Sequence, residues 1–165
     1  HTKTHANLNK STYKQQIKEI ITATNWLNKK GFKCNSNILI YPYGEYNRST
    51  IKIMKDNHII SGRSTIEKFN SQFTDSYYDI GVKNVLSNTK PEKVFTWINK
   101  TIEEKLTLIL LFHKLDPVTD DSLMQYDPKN FYQIIDYIDQ QRDKLNIITY
   151  SEWIKISIWV ENNYN

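Results

Sequence analysis

Cysteine is almost missing from this sequence. Cys34 is the one thiol among 165 residues, so no internal disulfide can form, and we expect it to be a small buried apolar residue. No apolar run of about 18 residues occurs, so the sequence predicts no membrane-spanning helix. No block of about five like charges occurs either. With a net charge of only +4, the sequence does not indicate a nucleic-acid-binding surface.

The composition that remains is that of an ordinary soluble globular protein, with 39% hydrophobic and 24% charged residues. Aromatic residues reach 13%, and the 11 tyrosines are consistent with either a filled core or a sugar-binding groove. The sequence starts with His rather than Met and carries no signal peptide. The length suits one domain, and we expect the chain to be a fragment or a mature protein, cut from something longer.

Helical and strand patterns alternate along the whole chain. Apolar residues at helical spacing, with capping residues before them, predict five helices: 12–30, 48–57, 91–105, one capped by Asp127, and one capped by Ser151. Short apolar runs predict the strands 37–41, 58–62, 78–82, 106–112 and 146–150. This order predicts a parallel sheet or barrel, with 106–112 covered on both faces and functional residues at the carboxyl ends of the strands.

Three features lie where chemistry is expected. His1 and His5 open the chain, "YPYG" (41–44) follows the strand "NILI", and His113 follows "LTLILLF". Two imidazoles at H-x-x-x-H spacing suit zinc and similar ions, although two exposed histidines would give the same pattern. The Pro-Tyr-Gly segment is either an ordinary turn or a rigid holder of an oxyanion-binding N–H. His113 is either a strand-end residue or a general acid or base. His58 precedes a strand and is expected to be structural.

Taken in order, "HTKTHANL", "ILIYPYGEYN" and "LTLILLFHKL" resemble three signature motifs of the polysaccharide deacetylases, the NodB-homology proteins of carbohydrate esterase family 4. The form "YPYGEYN" is most similar to the poly-N-acetylglucosamine deacetylase-like branch. The resemblance implies an α/β fold, an incomplete distorted (β/α) barrel that lacks its first strands, so that residues 1–165 are the C-terminal portion of a single catalytic domain. It also implies metal-dependent hydrolysis of N-acetyl groups on an N-acetylglucosamine-containing polymer, outside the cytoplasmic membrane or at the cell surface.

The resemblance further implies roles for single residues. His1 and His5 match the two metal-binding histidines, for a divalent ion such as zinc. Tyr43 matches the tyrosine whose backbone N–H steadies the oxyanion. His113 matches the histidine that protonates the leaving amine.

Two departures from the family pattern affect these roles. The pair of aspartates that supplies the base and the third metal ligand lies upstream of the first matching motif, so residues 1–165 alone should be inactive. Asp120-Asp121 lies in a late loop and does not match that pair. The arginine that orients the base is replaced by Ile40, and we expect Arg63, after the next strand, to take its place. A catalytically inactive, carbohydrate-binding protein is the alternative function.

Overall fold

The computed structural model describes residues 1–32, 37–74, 76–117 and 123–164. The expectation for Cys34 and the position of Asp120-Asp121 lie outside these residues. Inter-residue contacts divide the chain into two compact units. Unit 1 comprises His1–Ile66, Phe73–Gly81 and Thr149–Asn165, and unit 2 comprises Glu67–Gln72 and Val82–Ile148. The expectation that residues 1–165 are part of one domain stays a prediction.

The described residues contain the α-helices α1 Tyr13–Lys29, α2 Arg48–Asp56, α3 Pro91–Glu103, α4 Pro128–Gln140 and α5 Tyr150–Tyr164. The strands within the same ranges are β1 Ile38–Ile40, β2 Ser61–Glu67, β3 Asn70–Ser71, β4 Ile80–Asn84, β5 Leu106–Thr107, β6 Leu110–Leu111, β7 Lys114–Leu115 and β8 Gln125–Tyr126. The order of strands in the main sheet is β1-β2-β4-β6. No helix among the described residues is both long and apolar enough to cross a membrane.

In unit 1, side-chain caps define the helix starts. Thr12 and Gln15 form a reciprocal capping box at α1, and Asn47 with Thr50 does the same at α2. The buried Thr50 hydroxyl also donates to Gln16 Oε1 at 2.7 Å, which fixes α1 against α2 through a satisfied polar contact. The apolar core around them consists of Leu8, Ile20, Leu39, Tyr41, Ile53, Met54 and Ile59.

Parallel pairing of β1 with β2 determines what lies at the end of β1. Ile38 is in register with Ser61, and Ile40 with Arg63. The pairing continues one residue further, where the Tyr41 N–H donates to the Arg63 carbonyl at 3.0 Å. The chain then turns at Pro42–Gly44. The carboxyl end of β1 is therefore anchored up to the residue at which the turn begins.

Unit 2 contains a separate apolar core of Val85, Val94, Ile98, Tyr126 and Ile134. The end of β4 pairs in parallel with β6, β3 pairs antiparallel with β5, and β7 pairs in parallel with β8. Pro91 occupies the first turn of α3 and Pro128 that of α4, where a missing N–H costs nothing. Asp127 caps α4 by accepting from the Lys129 N–H at 2.7 Å.

The helix predictions for 12–30, 48–57 and 91–105, and for the helix capped by Asp127, are confirmed to within about two residues at each end. The fifth helix begins earlier than predicted. Thr149, not Ser151, caps it: the Glu152 N–H donates to Thr149 Oγ1 at 3.3 Å, and the Thr149 N–H donates to Glu152 Oε2 at 2.8 Å. This capping box competes with strand formation, and the predicted strand 146–150 is wrong.

Other strand boundaries also differ from the prediction. The run 106–112 is not one strand, because Leu106–Thr107 pairs antiparallel with β3 whereas Leu110–Leu111 pairs in parallel with β4. All seven residues are half-buried rather than fully covered. The strand predicted at 58–62 begins only at Ser61, because the chain still turns after α2 at His58, which lies in the left-handed region with φ 57°. Apolar runs identified these segments but not their pairing partners.

Gly62 offers a direct test of the β1–β2 packing. A Cβ at this position would overlap the hydroxyl of Tyr41, a ring that is 1% exposed and whose hydroxyl donates to the Tyr78 carbonyl at 3.0 Å. We expect Gly62→Ala to lower the free energy of unfolding by about 3 kcal/mol. The control is Gly31→Ala, where φ is +88° but no atom lies within 4 Å of the new Cβ. Strain alone should cost about 1 kcal/mol there. If urea unfolding showed the same loss of unfolding free energy in Gly62→Ala and in Gly31→Ala, the proposed overlap would be contradicted.

Candidate active site

The structure brings the two histidines of the first five residues together. The ring centroids of His1 and His5 lie 4.6 Å apart, with the ring planes inclined at 68°. His1 Nδ1 lies 2.7 Å from the Ile40 carbonyl oxygen, at the end of β1. A carbonyl can only accept, so Nδ1 carries the proton and the Nε2 lone pair of a neutral ring stays available. A hydrogen bond of this kind is the usual partner of a metal-binding imidazole.

Tyr43 lies beside His5. Their ring centroids are 4.7 Å apart in an edge-to-face arrangement, and the Tyr43 side chain is 62% exposed. The Gly44 N–H donates to the Tyr41 carbonyl at 3.0 Å and closes the turn. Within the part of the chain that the structure describes, the Tyr43 N–H has no acceptor. The turn thus presents a free backbone donor next to the histidine pair.

The backbone around these residues is conformationally strained. Thr2, His5 and Tyr43 have φ values of 53°, 60° and 58°, in the left-handed region that side chains other than glycine disfavour. Gly44 follows with φ +72°, and a Cβ there would overlap Thr65 Oγ1 and come within 2.6 Å of the Thr65 nitrogen. Strain of this kind persists only where the surroundings enforce it, and it is concentrated at functional sites.

The loop that carries the histidines is attached to α1 through Glu19. The Thr4 N–H donates to Glu19 Oε2 at 2.8 Å, and the Thr4 hydroxyl donates to Oε1 at 2.9 Å. Partial burial acts to raise the pKa of Glu19, but the hydrogen bonds from Thr4 outweigh it and hold the pKa below its ordinary value. The ionised carboxylate is therefore the form that binds the loop.

Arg63 lies within β2 rather than after it, level with Ile40. Residues paired in a parallel ladder project to the same face, so the Arg63 side chain leaves the sheet on the face of Ile40. Burial lowers the pKa of its guanidinium, and its Nη1 donates to the Ser64 carbonyl at 3.2 Å. Tyr150 is its electrostatic neighbour. The Tyr150 hydroxyl forms a 2.6 Å hydrogen bond with Ser61 Oγ.

His113 belongs to unit 2 and directly follows β6. Its neighbour Phe112 packs edge-to-face against Tyr126 and Phe131, at centroid distances of 5.5 and 5.2 Å. The His113 side chain is exposed and has no hydrogen-bond partner among residues of the described ranges. The aromatic packing fixes the chain on one side of a free imidazole.

The donor set suits part of a metal centre. Imidazole nitrogens are preferred ligands of zinc, and the hydrogen bond at His1 Nδ1 directs Nε2 outward as a ligand. Across residues 1–32, 37–74, 76–117 and 123–164, no group of three or more His, Cys, Asp or Glu side chains could hold a metal ion. The pair therefore provides two ligands, and a complete site needs at least one more.

Comparison with known proteins gives the same family as the motifs. Residues 1–59, which contain the histidine pair and the Tyr43 turn, match the family model "Polysaccharide deacetylase". A solved structure, "Streptococcus pyogenes deacetylase PplD in complex with acetate", matches with a TM-score of 0.50 and 25% sequence identity. The match covers 58% of this chain and 42% of that one, so the chain spans less than half of that protein. No curated protein matches significantly.

Residues 1–59 are therefore similar to the polysaccharide deacetylases, in agreement with the motif resemblance. The predicted fold class is confirmed: the mixed α/β chain, with its parallel strands, is an incomplete distorted (β/α) barrel of the deacetylase type.

Two residues at the site were missed by sequence reasoning. Glu19 lies fifteen positions after Thr4, a spacing that carries no motif, and its role appears only when the loop folds onto α1. Tyr150 was assigned to a strand, whereas it begins α5 and reaches Ser61 of β2. The capping box formed by Thr149 and Glu152 could have indicated the helix start, but no local signal indicates the contact with Ser61.

Tyr150 leads to a prediction about alkaline pH. Burial raises its pKa to about 12, although the charge of Arg63 opposes the shift. Because the unfolded value is about 10, the hydroxyl's contribution to stability is complete below about pH 10 and is lost as pH rises to about 12. Wild type should therefore be more stable than Tyr150→Phe at pH 9, and the difference should narrow towards pH 12. If the difference in unfolding free energy between wild type and Tyr150→Phe stayed constant from about pH 9 to about pH 12, the raised pKa of Tyr150 would be contradicted.

Proposed function

We propose that this chain contributes to metal-dependent hydrolysis of N-acetyl groups on an N-acetylglucosamine-containing polysaccharide. The observation that carries the proposal is the group formed by His1, His5 and the free N–H of Tyr43 at the carboxyl end of β1. Two imidazoles that can bind a metal ion, beside a rigid backbone donor, are among the parts needed to hydrolyse an acetyl amide. The family match over residues 1–59 covers this group.

His1 and His5 would hold a divalent ion, and zinc suits their imidazoles best. Such an ion polarises an acetyl carbonyl and lowers the pKa of a bound water. The described residues offer no third ligand. We therefore propose that the aspartates implied by the family resemblance, one as ligand and one as base, are supplied from outside residues 1–165. Residues 1–165 alone would then be inactive.

Tyr43 would act through its backbone. The turn holds the N–H in place before any substrate arrives, so no reorganisation is needed when charge develops on the acetyl oxygen. Hydrogen bonds of the turn and the close approach of Gly44 to Thr65 support this rigidity. The exposed ring beside His5 would offer an apolar face to the sugar.

His113 would serve as the general acid. An amine is a poor leaving group until it is protonated, so a donor imidazole has to deliver a proton to the amide nitrogen as the bond to carbon breaks. The exposed imidazole of His113, held by the packing of Phe112, is suited to this role.

The family resemblance supports a proposal for the substrate and the location. The matching streptococcal deacetylase was solved with acetate, the product expected of acetyl hydrolysis. We propose a cell-wall or extracellular glycan as the polymer, and an extracellular or cell-surface location. An inactive, glycan-binding protein is the second candidate. It is favoured by the two-ligand set and by the 62% exposed ring of Tyr43.

Acetate release tests the proposed function. The whole protein that carries residues 1–165, stripped of metal, should release acetate from N-acetylglucosamine oligomers only after zinc is restored. His113→Ala should lower kcat by about 10²- to 10⁴-fold, the usual contribution of a general acid.

The matched control is His58→Asn, which changes an exposed histidine in the left-handed region to a residue that tolerates that conformation. Its activity should equal that of wild type. Glycan binding without acetate release under any metal would overturn the enzymatic proposal in favour of the second candidate.

We propose that Arg63 orients the aspartate base. Related proteins use an arginine for this purpose at the position that Ile40 occupies in this chain. Loss of the guanidinium should leave the base misplaced, and Arg63→Ala should lower kcat by about 100-fold. Arg63→Lys should recover only part of the activity, because a lysine lacks the planar fork that holds a carboxylate. KM should change little in both variants. Activity of Arg63→Ala equal to that of wild type would show that the position is structural.

A further inference from the structure

The loop of residues 1–5 has very little apolar burial to hold it. His1, Lys3, Thr4 and His5 are all exposed, and two backbone positions in the loop are in the left-handed region. Exposed, strained loops sample several conformations unless polar anchors fix them. Within residues 1–165, the histidine pair is therefore held by the few hydrogen bonds that attach this loop to the rest of unit 1.

Those hydrogen bonds come from two places. The His1 ring is held by the Ile40 carbonyl at the end of β1. The part of the loop next to His5 is held by Glu19, which receives both the N–H and the hydroxyl of Thr4, while its own carbonyl accepts from the Lys3 N–H at 3.0 Å. Thr4 directly precedes His5, so Glu19 limits the rotation of the chain that sets the direction of the His5 ring.

Glu19 is itself well fixed. It lies within α1, is half-buried, and is followed by Ile20, which is fully buried in the core of unit 1. Its two carboxylate oxygens accept from two different donors of one residue, an arrangement that specifies orientation as well as distance. A rigid helix thus transmits its position to the strained loop.

We propose that Glu19 is the positioning residue of the histidine pair: by binding Thr4 it fixes His5 opposite His1 in the orientation that accepts a divalent metal ion. This inference rests on the proposed metal-binding function. Glu19 would touch neither the metal nor the substrate, and would act through the loop residues that it binds, chiefly Thr4.

Two variants of Glu19 separate its hydrogen bonds from its charge. Glu19→Ala removes both bonds to the Thr4 side chain and N–H but leaves the Lys3 bond to the backbone carbonyl. In Glu19→Gln, the amide oxygen can accept from the Thr4 N–H and the NH₂ group can donate to the Thr4 hydroxyl oxygen. The alanine variant should therefore disturb the pair, whereas the glutamine variant should retain it. Lys18→Ala, an exposed neighbour on α1, is the matched control.

The test measures zinc affinity in the metal-stripped whole protein, by competition with a chromophoric chelator. Glu19→Ala should raise the zinc dissociation constant by about 10- to 100-fold, the usual effect of losing a partner that orients a ligand. Glu19→Gln and Lys18→Ala should stay close to wild type. Thermal unfolding should show that the alanine variant is folded under the assay conditions. Zinc affinity of Glu19→Ala equal to that of wild type would overturn the proposal.

A second readout needs no metal. Hydrogen–deuterium exchange of the peptide that contains Thr4 should be faster in Glu19→Ala than in wild type, because the Thr4 N–H loses its acceptor. Unchanged exchange would overturn the positioning role. Failure of wild type to bind zinc would instead overturn the proposed function, so the two failures are distinguishable.

Discussion

The parallel pairing of β1 with β2 is the constraint on which the candidate site depends. It places Ile40 level with Arg63 and continues through the bond from Tyr41 to the Arg63 carbonyl, so the last residues of β1 are fixed. The Ile40 carbonyl then holds the His1 ring, and the turn after Tyr41 presents the Tyr43 N–H. The carboxyl end of β1 thus determines the positions of the proposed ligand His1, the Tyr43 backbone N–H and Arg63. In a parallel sheet such ends face the same edge, which is why binding sites form there.

The site combines rigidity with strain. Among the described residues up to position 43, three non-glycine residues adopt left-handed backbone conformations, and each lies in the histidine loop or in the Tyr43 turn. Apolar burial does not supply the energy that holds them, since the loop is mostly exposed. Directed hydrogen bonds to Ile40 and Glu19, and the tight approach of Gly44 to Thr65, hold these conformations instead. A metal-binding pair gains from this, because a prearranged site loses less entropy when it binds an ion.

Unit 2 contributes a different part of the proposed chemistry. Its core orders the chain directly before His113, through Phe112 and its aromatic neighbours. The apolar run 106–112, which precedes His113, pairs with two different strands. Leu106–Thr107 pairs with β3, and Leu110–Leu111 pairs with β4. The run is half-buried, and its hydrophobicity therefore reflects two short pairings instead of one fully covered strand.

The sequence by itself determined the helices, the α/β class and the motif residues. Capping boxes, prolines at first turns and apolar spacing are local signals, so α1 to α4 could be predicted from them. The spacing of His1 and His5 and the Pro-Tyr-Gly turn marked the candidate site for the same reason. Tertiary structure alone decided which strands pair, that Arg63 lies beside Ile40, and that Glu19 holds the histidine loop. Those contacts join residues far apart in the chain, and their energies depend on partners that no local window contains.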